Sequence, residues 1–578
     1  MNRNRKKKNR KKETGAVVSL LLASSLAFGG CGTAVTSASF VNTESASTES
    51  TGETSADNAA ATSESTASEN AIESASDIDF DLELTESTID TEFTDREKSG
   101  SYKASEAVKI TLNKTTATVS GSGAKADGST ITIMEEGVYI VSGTLEDGQI
   151  IVDASDSDKV QIVLDGVNIN CETNAAIYVR EADKVFITLA ENSSNTLGGG
   201  NEYTQIDDNT VDGVIFSKSD LVCNGTGSLT IEADYKHGIV SKDDLVITGG
   251  TYKIAAADNG ITAKDQLKIL DGSFDIDAAN SAVKAKNTDD IELGNIYIAG
   301  GVFTVKAEQD GFHATGSIVV DDGTITVNSG DDGFHAELDT IIRGGTILVE
   351  KSNEGLEGKR VVVNGGDITV NASDDGINAA NSGDDGANAI NPGANAAGSG
   401  DDDSNAASSN DDSSAVVNSG DDGSISGAAD GKEPPQMPPD TENGSDMQPS
   451  QDFDPENAPS GGNAPQDFDP GNAPSDGDAP QMMQGGPGGG GNSELYIKIA
   501  GGTLTVSADG DGLDSNGGLL VTGGTTIVYG PTSDGDSALD YDGSAIVTGG
   551  TLAAIGSAGM TESFDEASTQ PVITYYCT

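Results

Sequence analysis

The sequence predicts an all-β fold, a right-handed parallel β-helix (solenoid) in which short strands wind into coils of about 22 residues. Three observations predict it. Glycines recur at a regular interval, and the runs between them alternate apolar and polar residues as half-buried strands do. Aromatic residues are only 4% of the 578 residues and tryptophan is absent, which favours a narrow stacked core over several conventional globular cores. No segment has a helical period, and right-handed winding is the rule for parallel crossovers.

The glycine period locates the coils. Each corner contains two adjacent small or turn-forming residues, of which the second is a glycine. The intervals between these corner glycines along the chain are 22, 29, 22, 22, 21, 136, 22 and 26 residues. Removing one coil from the 136-residue interval leaves about 114 residues, close to the length of a low-complexity block, so we expect the coils to resume in phase after that block. The corner glycines are Gly250, Gly272, Gly301, Gly323, Gly345, Gly366, Gly502, Gly524 and Gly550.

The first 31 residues have the pattern of an export signal. A basic start precedes the apolar run Ala16 to Phe28, which is too short to span a bilayer as a mature helix. The following FGGC resembles a bacterial lipobox and predicts lipidation of Cys31. We therefore expect an extracellular, cell-surface lipoprotein of a Gram-positive-type bacterium, which touches the membrane only through its lipid anchor. Cleavage near Thr36 to Ala38, giving a free secreted protein, is the alternative.

Composition divides the rest of the chain into four parts. We expect a disordered spacer rich in Ser, Thr and Glu over 32–104, the first part of the β-helix over 105–380, a low-complexity insertion of Asp, Gly, Pro and Asn over 381–492, and the last coils with a C-terminal tail over 493–578.

The charge of the chain restricts its partners. The formal net charge is −62, which repels nucleic-acid phosphates and anionic lipid. Cations, neutral glycans, and anionic glycans bridged by a metal ion remain. Three cysteines follow Cys31, namely Cys171, Cys223 and Cys577, and their odd number argues against a disulfide framework. We expect a monomer, with Cys171 and Cys223 acting as small buried hydrophobes.

A motif of glycine, apolar residue, any residue and small residue recurs at one phase of the coil, as in GFHAT at 311 and GFHAE at 333. Side chains alternate along a strand, so the residue after the apolar one is expected to point outward, and coils about 4.8 Å apart would align such residues into ladders. A polar ladder with that spacing suits an extended polysaccharide. The candidate carbohydrate-binding residues are Lys284, His313, His335, Glu357 and Asn378 in one column, with Lys286 and Glu337 in a second.

An acidic corner precedes the motif in most coils. Stacked carboxylates repel one another unless a cation lies between them, and Ca²⁺ accepts six to eight oxygen ligands in irregular geometry. The alternative is that Asp and Gly are present only because they form turns. The candidate ligands of a calcium ion are Asp310, Asp331, Asp332, Glu354, Asp374 and Asp375.

Other chemistries have weaker support. Two stacked histidines beside carboxylates could hold a transition metal, although we favour the alternative that they are polar side chains lining a groove. A polysaccharide lyase would need calcium and a basic residue, for which Lys284, Lys286 and Arg343 are candidates. No nucleophile elbow is present, so we expect no hydrolase and no catalytic residues.

Several segments, led by YKHGIVSKDDL within residues 211–250, resemble a known family. Further matches are GVYIVSGTLEDGQIIVD at 137–153, KVQIVLDGVNI at 159–169 and KVFITLAENSSNTL at 184–197. The family is the secreted clostridial carbohydrate-binding β-helix proteins, and the resemblance covers about 105–380 and 493–556. It implies a right-handed β-helix similar to pectate lyases, bound calcium, and affinity for plant cell-wall polysaccharide, polygalacturonate or cellulose, without catalysis. The insertion at 381–492 departs from the compact family pattern.

These observations together predict a cell-surface protein that binds plant cell-wall polysaccharide with the help of calcium. Flat cellulose surfaces are usually bound by rows of aromatic rings, which this chain lacks, whereas an acidic protein needs Ca²⁺ to hold an acidic glycan. Polygalacturonate is therefore favoured over cellulose. The alternatives are a pectate-lyase-like polysaccharide lyase and a non-catalytic structural or adhesive surface protein.

Overall fold

The structure is a computed structural model that describes residues 80, 89–290, 292–381, 492–533, 535–558, 560 and 562–576. The predicted signal segment with Cys31, most of the predicted spacer, and residues 382–491 of the predicted insertion lie outside the described residues. Within the described part, no helix is both long and apolar enough to cross a membrane. The one helix there, Asp95–Lys98, has only four residues.

The predicted parallel β-helix is confirmed. Strands pair in parallel from coil to coil in two sheets of 14 and 26 strands. The larger sheet contributes two strands to most coils, so a coil has three faces, called here the first, second and third face in chain order. Equivalent residues align in register, as in the pairing of Phe312 with Phe334 and of His313 with His335.

The first face is the 14-stranded sheet and carries the predicted ladders. Its strands are Ala124–Asp127, Thr130–Ile133, Gln149–Asp153, Ile177–Glu181, Gly213–Ser217, His237–Ser241, Ile261–Ala263, Val283–Ala285, Phe312–Ala314, Phe334–Ala336, Leu356–Gly358, Ile377–Ala379, Leu513–Ser515 and Leu539–Tyr541.

The second and third faces belong to the 26-stranded sheet. The second face contains Lys184–Leu189, Asp220–Gly225, Leu245–Ile247, Gln266–Ile269, Asn295–Ile298, Ile318–Val320, Asp339–Ile342, Arg360–Val363, Tyr496–Ile499, Gly518–Val521 and Ala545–Val547. The third face contains Ser194–Gly199, Ser228–Ala233, Thr251–Ala256, Ser273–Ala278, Val302–Ala307, Thr324–Asn328, Thr346–Ser352, Asp367–Ala372, Thr503–Ala508, Thr525–Tyr529 and Thr551–Ile555.

The first strands of the β-helix are longer than those of the later coils. Val108–Lys114 pairs antiparallel with Thr116–Ser120 and parallel with Gly137–Leu145, and the long strand Lys159–Cys171 follows. This last strand pairs with members of both the second and the third face, so it continues around the corner between them. The first coils are therefore broader than the 22-residue coils that follow.

The coils resume in phase after the interruption, as the glycine period predicts. Ile377 pairs with Leu513 on the first face, and Val363 pairs with Ile499 on the second, although 136 residues separate the members of each pair. The interrupting segment therefore leaves the solenoid between two strands of one coil and does not change the register.

Stacked side chains fill the narrow core. Phe274 lies 5.1 Å from Tyr252 and 4.6 Å from Phe303, measured between ring centroids, and Phe312 lies 4.7 Å from Phe334. Ladders of Ile, Val and Leu continue these stacks, so a column only one side chain wide buries apolar surface along the whole helix. Cys171 and Cys223 are free and buried, as predicted.

Glycine is required at two places in the coil. At the corner before the third face, Gly524 and Gly550 have φ of 77° and 75°, a region that L side chains rarely adopt. At the start of the first face, a Cβ on Gly333 would lie 2.6 Å from the carbonyl oxygen of Gly355 in the next coil. The glycine of the repeated motif therefore allows adjacent backbones to approach closely.

An N-terminal strap, residues 80 and 89–99, lies along the outer surface of the second face. Its apolar residues Phe80, Ile89 and Phe93 pack on a stripe of outward side chains. Lys268 donates to the Asp90 carboxylate at 2.7 Å, and Lys184 donates to the Glu97 carboxylate at 2.8 Å. The stripe under the strap comprises Tyr297, Val319, Ile341, Val362 and Tyr496.

The predicted disordered spacer over 32–104 is therefore wrong for residues 89–104. Three apolar anchors spaced through an acidic segment give this part a surface to bury. A capping box, in which Thr94 and Glu97 satisfy each other's backbone N–H groups, also stabilises the short helix.

Removing Arg360 should destabilise the β-helix. The Arg360 guanidinium donates to Asp339, which is fully buried, and its Nη2–Oδ2 distance is 3.1 Å. We expect Arg360→Met to lower the free energy of unfolding by about 3–5 kcal/mol, because it leaves a buried carboxylate without its cation. Chemical unfolding followed by far-ultraviolet circular dichroism measures this. The double variant Asp339→Leu/Arg360→Met should lose less stability, and an equal loss in both variants would contradict the assignment.

Candidate functional site

A polar groove of about 410 Å³ lies on the first face, over the coils that carry the two stacked histidines. Its lining combines the two predicted sets, the outward ladder and the acidic corner. The lining residues are Ala279, Asn280, Lys284, Gln309, Asp310, His313, Asp331, Asp332, His335, Asn353, Glu354 and Glu357.

Each coil builds the groove in the same way. A corner residue at position i precedes the first-face strand, and the strand's outward residue at i+3 forms the floor. Parallel pairing then places the floor residues of successive coils side by side, as it does for His335 and Glu357, and for Glu357 and Asn378. The pairs of corner and floor residues are Asp310 with His313, Asp332 with His335, Glu354 with Glu357, Asp375 with Asn378, and Asp511 with Asp514.

The corner carboxylates have a structural role. Asp332 N–H donates to Asp310 Oδ1 at 3.4 Å, Glu354 N–H to Asp332 Oδ1 at 3.2 Å, and Asp511 N–H to Asp375 Oδ1 at 2.7 Å. One oxygen of each aspartate thus accepts a hydrogen bond from the next coil and holds the corners in line. The turn-forming role that the sequence suggests for these acids is present, and the second oxygen of Asp310 and Asp332 faces the floor.

Those second oxygens meet the histidines. Asp310 Oδ2 lies 2.8 Å from His313 Nδ1, and Asp332 Oδ2 lies 3.0 Å from His335 Nδ1, which Glu357 also contacts. Burial lowers the pKa of His335 because it favours the neutral imidazole. The hydrogen bonds in which Asp332 and Glu357 accept from the ring have a larger opposite effect, and the pKa is raised to about 11. Burial would raise the pKa of Asp310, but the hydrogen bond with His313 lowers it overall.

The two stacked imidazoles are not oriented to share one transition-metal ion. The rings of His313 and His335 lie 4.8 Å apart between centroids with an interplanar angle of 1°. Nitrogen lone pairs lie in the ring plane, so two parallel rings direct them along parallel lines that do not meet at one metal ion. The geometry favours their other predicted role, as polar side chains that line the groove.

Three carboxylates at one end of the groove fit a calcium ion. Asp332, Glu354 and Glu357 are buried, and each offers an oxygen within 4.8 Å of the others'. Ca²⁺ binds oxygen at 2.3–2.6 Å, so ligands on opposite sides of one ion can be about 5 Å apart. Burial and the negative charges of neighbouring acids raise the pKa of Glu354 to about 9 and of Asp332 to about 8.

An unsatisfied amide lies beside these carboxylates. Asn378 is 5% exposed, and its Nδ2 donates to Glu354 Oε2 at 3.1 Å. Its Oδ1 is buried and accepts no hydrogen bond from any residue that the structure describes. A buried carbonyl oxygen without a donor next to several carboxylates is a feature that a bound cation would satisfy.

The acidic character continues along the floor beyond Asn378. Burial and nearby aspartates raise the pKa of Asp514 to about 8, of Asp375 to about 7 and of Asp511 to about 6. Asp514 and Asp511 were not among the predicted site residues, although they occupy the same phase of the coil. The floor therefore changes from Lys and His at one end to Glu, Asn and Asp at the other.

Most predicted site residues come together in this groove or on its continuation, but three lie elsewhere. Asp374 is exposed, and Lys286 and Glu337 are half-buried and outside the lining. The first-face strands end at Ala285 and Ala336, and Lys286 and Glu337 follow them directly. Their backbone N–H groups still donate to the preceding coil, to Ala263 O at 3.0 Å and to Ala314 O at 2.9 Å. A second binding column at Lys286 and Glu337 stays a prediction.

The floor is also less exposed than an outward ladder implies. Lys284, Glu357 and Asn378 are 8%, 6% and 5% exposed. The corner carboxylates fold over the short strands and cover them. Arg343, a candidate base for lyase chemistry, donates to Asp321 at 2.9 Å and lies outside the groove lining, whereas Lys284 is part of the floor.

Sequence reasoning missed one wall of the groove. Asn280, Gln309 and Asn353 line it together with the predicted Asp331. Each of these three residues immediately precedes the corner residue of its coil, which is Ser281, Asp310 or Glu354. This shared position in the coil is the signal that could have located them.

The groove lies within a segment that matches known proteins. Residues 127–404 match a family model described as carbohydrate-binding domain-containing protein. A carbohydrate-binding domain-containing protein of Acetivibrio thermocellus is 39% identical over 128 residues, which cover 22% of this chain and 45% of that relative's length. This chain thus matches less than half of that relative.

A solved structure shows a further similarity. The structure is that of a polysaccharide lyase-like protein from C. thermocellum, solved as a gadolinium derivative. The two sequences are 31% identical, the alignment covers 41% of this chain and 96% of that chain, and the TM-score is 0.40. The fold described above rests on the strand pairing of this chain and not on that superposition. The family model and the curated relative confirm the predicted resemblance of this chain to a clostridial carbohydrate-binding family, over residues 127–404 for the family model.

Proposed function

We propose that this protein binds carbohydrate in the first-face groove, and that it holds an acidic polysaccharide, polygalacturonate, through a calcium ion. The observation that carries the proposal is the meeting of Asp332, Glu354 and Glu357 in the groove, where their oxygens lie within 4.8 Å of one another. The described relatives are named for carbohydrate binding, which supports the class of ligand.

Electrostatics supports the calcium bridge. A chain with a net charge of −62 repels a polyanion unless cations lie between them. Asp332, Glu354, Glu357 and Asn378 would hold the ion, and its remaining positions would accept uronate carboxylates and hydroxyls. Lys284 and the stacked histidines would contact the glycan at the other end of the floor, where successive rings are 4.8 Å apart.

The groove suits an acidic glycan better than a cellulose surface. Its lining contains no Phe, Tyr or Trp, which flat crystalline ligands require for stacking. We propose a non-catalytic role because Arg343 is engaged outside the groove and only Lys284 among the candidate bases lines it. Incubation with polygalacturonate and calcium at alkaline pH tests this, since a lyase would generate unsaturated uronate that absorbs in the ultraviolet.

Binding to polygalacturonate should require calcium. Titration calorimetry of the full chain against polygalacturonate, with calcium and with excess chelator, measures this. We expect Glu354→Gln to weaken calcium-dependent binding on the order of tenfold or more, because it removes one charged oxygen ligand. Glu350→Gln is the matched control, since Glu350 is an exposed acid on a third-face strand and should leave binding unchanged.

The outcomes separate two parts of the proposal. Binding that persists unchanged in chelator would show that calcium does not bridge the glycan. No binding even with calcium would rule out polygalacturonate as the ligand, and fully methyl-esterified pectin then tests whether the carboxylates matter.

The calcium-free protein should lose stability as pH rises. The folded state raises the pKa of Glu354 to about 9, and of Asp332 and Asp514 to about 8, whereas unfolded carboxyls titrate near 4. Between these values the folded chain binds more protons than the unfolded chain, so the free energy of unfolding falls with increasing pH. His335, with its pKa raised to about 11, contributes in the same direction.

Thermal melts in chelator measure this effect. We expect the melting temperature to fall from pH 5 to pH 9, with calcium restoring most of the loss at the higher pH because it replaces the protons as the source of positive charge. A melting temperature that is constant or rises over this range would show that the groove acids are not buried together.

We also propose that the protein acts at the cell surface through a lipid on Cys31. Replacing Cys31 by Ser should release the protein into the medium of the bacterium that expresses it. Fractionation with an antibody measures this, and an unchanged cell-bound fraction would contradict lipid anchoring.

A further inference from the structure

The last coil leaves one strand edge open. Thr551–Ile555, the final third-face strand, pairs on one side with Thr525–Tyr529. Among the residues that the structure describes, no backbone hydrogen bond reaches its other side. An open edge presents unpaired N–H and C=O groups, and natural proteins usually cover or protect it.

The neighbouring edge of the same coil is covered. The chain after the last coil runs along the second-face strand Ala545–Val547, with Asp565 N–H donating to Ala545 O at 2.8 Å and Thr569 N–H donating to Val547 O at 3.0 Å. Phe564 packs against the end of the core. The tail therefore covers the last strand edge of the second face but not that of the third face.

The hydrogen-bonded part of the tail ends before Pro571. Thr569 Oγ1 donates to Thr548 O at 3.4 Å, and Gln570 N–H donates to Val547 O at 3.3 Å. Proline has no backbone N–H, so Pro571 cannot donate the next hydrogen bond of such a ladder.

The segment after Pro571 is an exposed strand-forming sequence. Val572, Ile573, Tyr575 and Tyr576 are 46%, 87%, 83% and 62% exposed. β-branched and aromatic residues are those that strands favour. Within the described residues, three of these four side chains are therefore mostly exposed, and Val572 is about half-exposed.

The last coil and the tail are also poor in charged side chains. Residues 551–559 and 567–576 contain no charged side chain, although the chain has 94 acidic residues. The edge strand has no Lys, no Pro and no bulge, which are the usual protections. Its exposed Ile555 pairs with the exposed Tyr529 of the neighbouring strand. Self-association there meets little of the repulsion that the rest of the surface would impose.

We propose that the C-terminal coil is a self-association surface, in which Val572–Tyr576 of one copy pairs with the open edge Thr551–Ile555 of a second copy and the second copy reciprocates. Such an exchange is an isologous interface, in which each copy supplies the same two elements. The occupant is a second copy because the chain itself carries an uncharged segment of strand-favouring residues, and within the described residues that segment makes no backbone hydrogen bond to its own edge. The proposal goes beyond glycan binding and replaces the expectation of a monomer.

Light scattering coupled to size-exclusion chromatography tests the proposal on the full chain, between about 1 and about 100 µM. We expect a mass that approaches twice 58.5 kDa as concentration rises. Ile573→Asp places a charge in the strand, and should weaken the dimer at least about tenfold while leaving the melting temperature unchanged, since the side chain is exposed. Val302→Asp is the matched control, because Val302 is 51% exposed on the third face away from the edge.

Amide hydrogen exchange identifies the paired strands. Protection of both 551–555 and 572–576 that falls on dilution supports the exchange between copies. A monomeric mass over the whole range, a dimer that Ile573→Asp leaves intact, or protection that does not change on dilution would each overturn it, the last by showing that the chain's own tail covers the edge. Polygalacturonate binding measured in the same samples reports separately on the proposed function.

Discussion

The whole structure depends on one constraint, the in-register parallel pairing of each strand with its equivalent in the next coil. This pairing satisfies the backbone and also fixes the side chains, because a residue of one coil lies beside its equivalent in the next. The core is consequently a set of stacks, such as Phe312 on Phe334, and the surface is a set of ladders, such as His313 on His335. A chain with few large apolar residues becomes stable by repeating a small contact many times.

The same constraint makes a binding site from residues that would repel one another elsewhere. Corner acids are repeated because one oxygen of Asp310 or Asp332 holds the backbone of the next coil. Their repetition stacks negative charge, which His335, with its pKa raised to about 11, offsets in one coil. In the following coils Glu357, Asn378 and Asp514 replace the histidines, so the structural need for corner acids leaves a negative potential that an external cation would neutralise.

The sequence was sufficient to predict the coil period, the resumption of register at Leu513 and the phase of the groove, because these follow from spacing alone. It was not sufficient where a contact depends on how far a strand extends. Glu337 directly follows the strand Phe334–Ala336 but lies outside the groove lining, and Glu357 is buried although its place in the strand predicts an outward side chain. The strap was missed because three separated apolar residues in an acidic segment show no period, and their partner, the outward stripe with Tyr297 and Val319, is formed only when the coils stack.

The course of the strap determines how the domain responds to mechanical load. Phe80 O accepts from Lys498 near the last coils, whereas Glu97 meets Lys184 near the first, so the strap crosses most of the second face before the chain enters the helix. A pull that arrives at Phe80 is therefore shared as shear over many coils and is not applied to one terminal strand, which would unzip more easily. The coils would for this reason stay folded under a tension applied at Phe80.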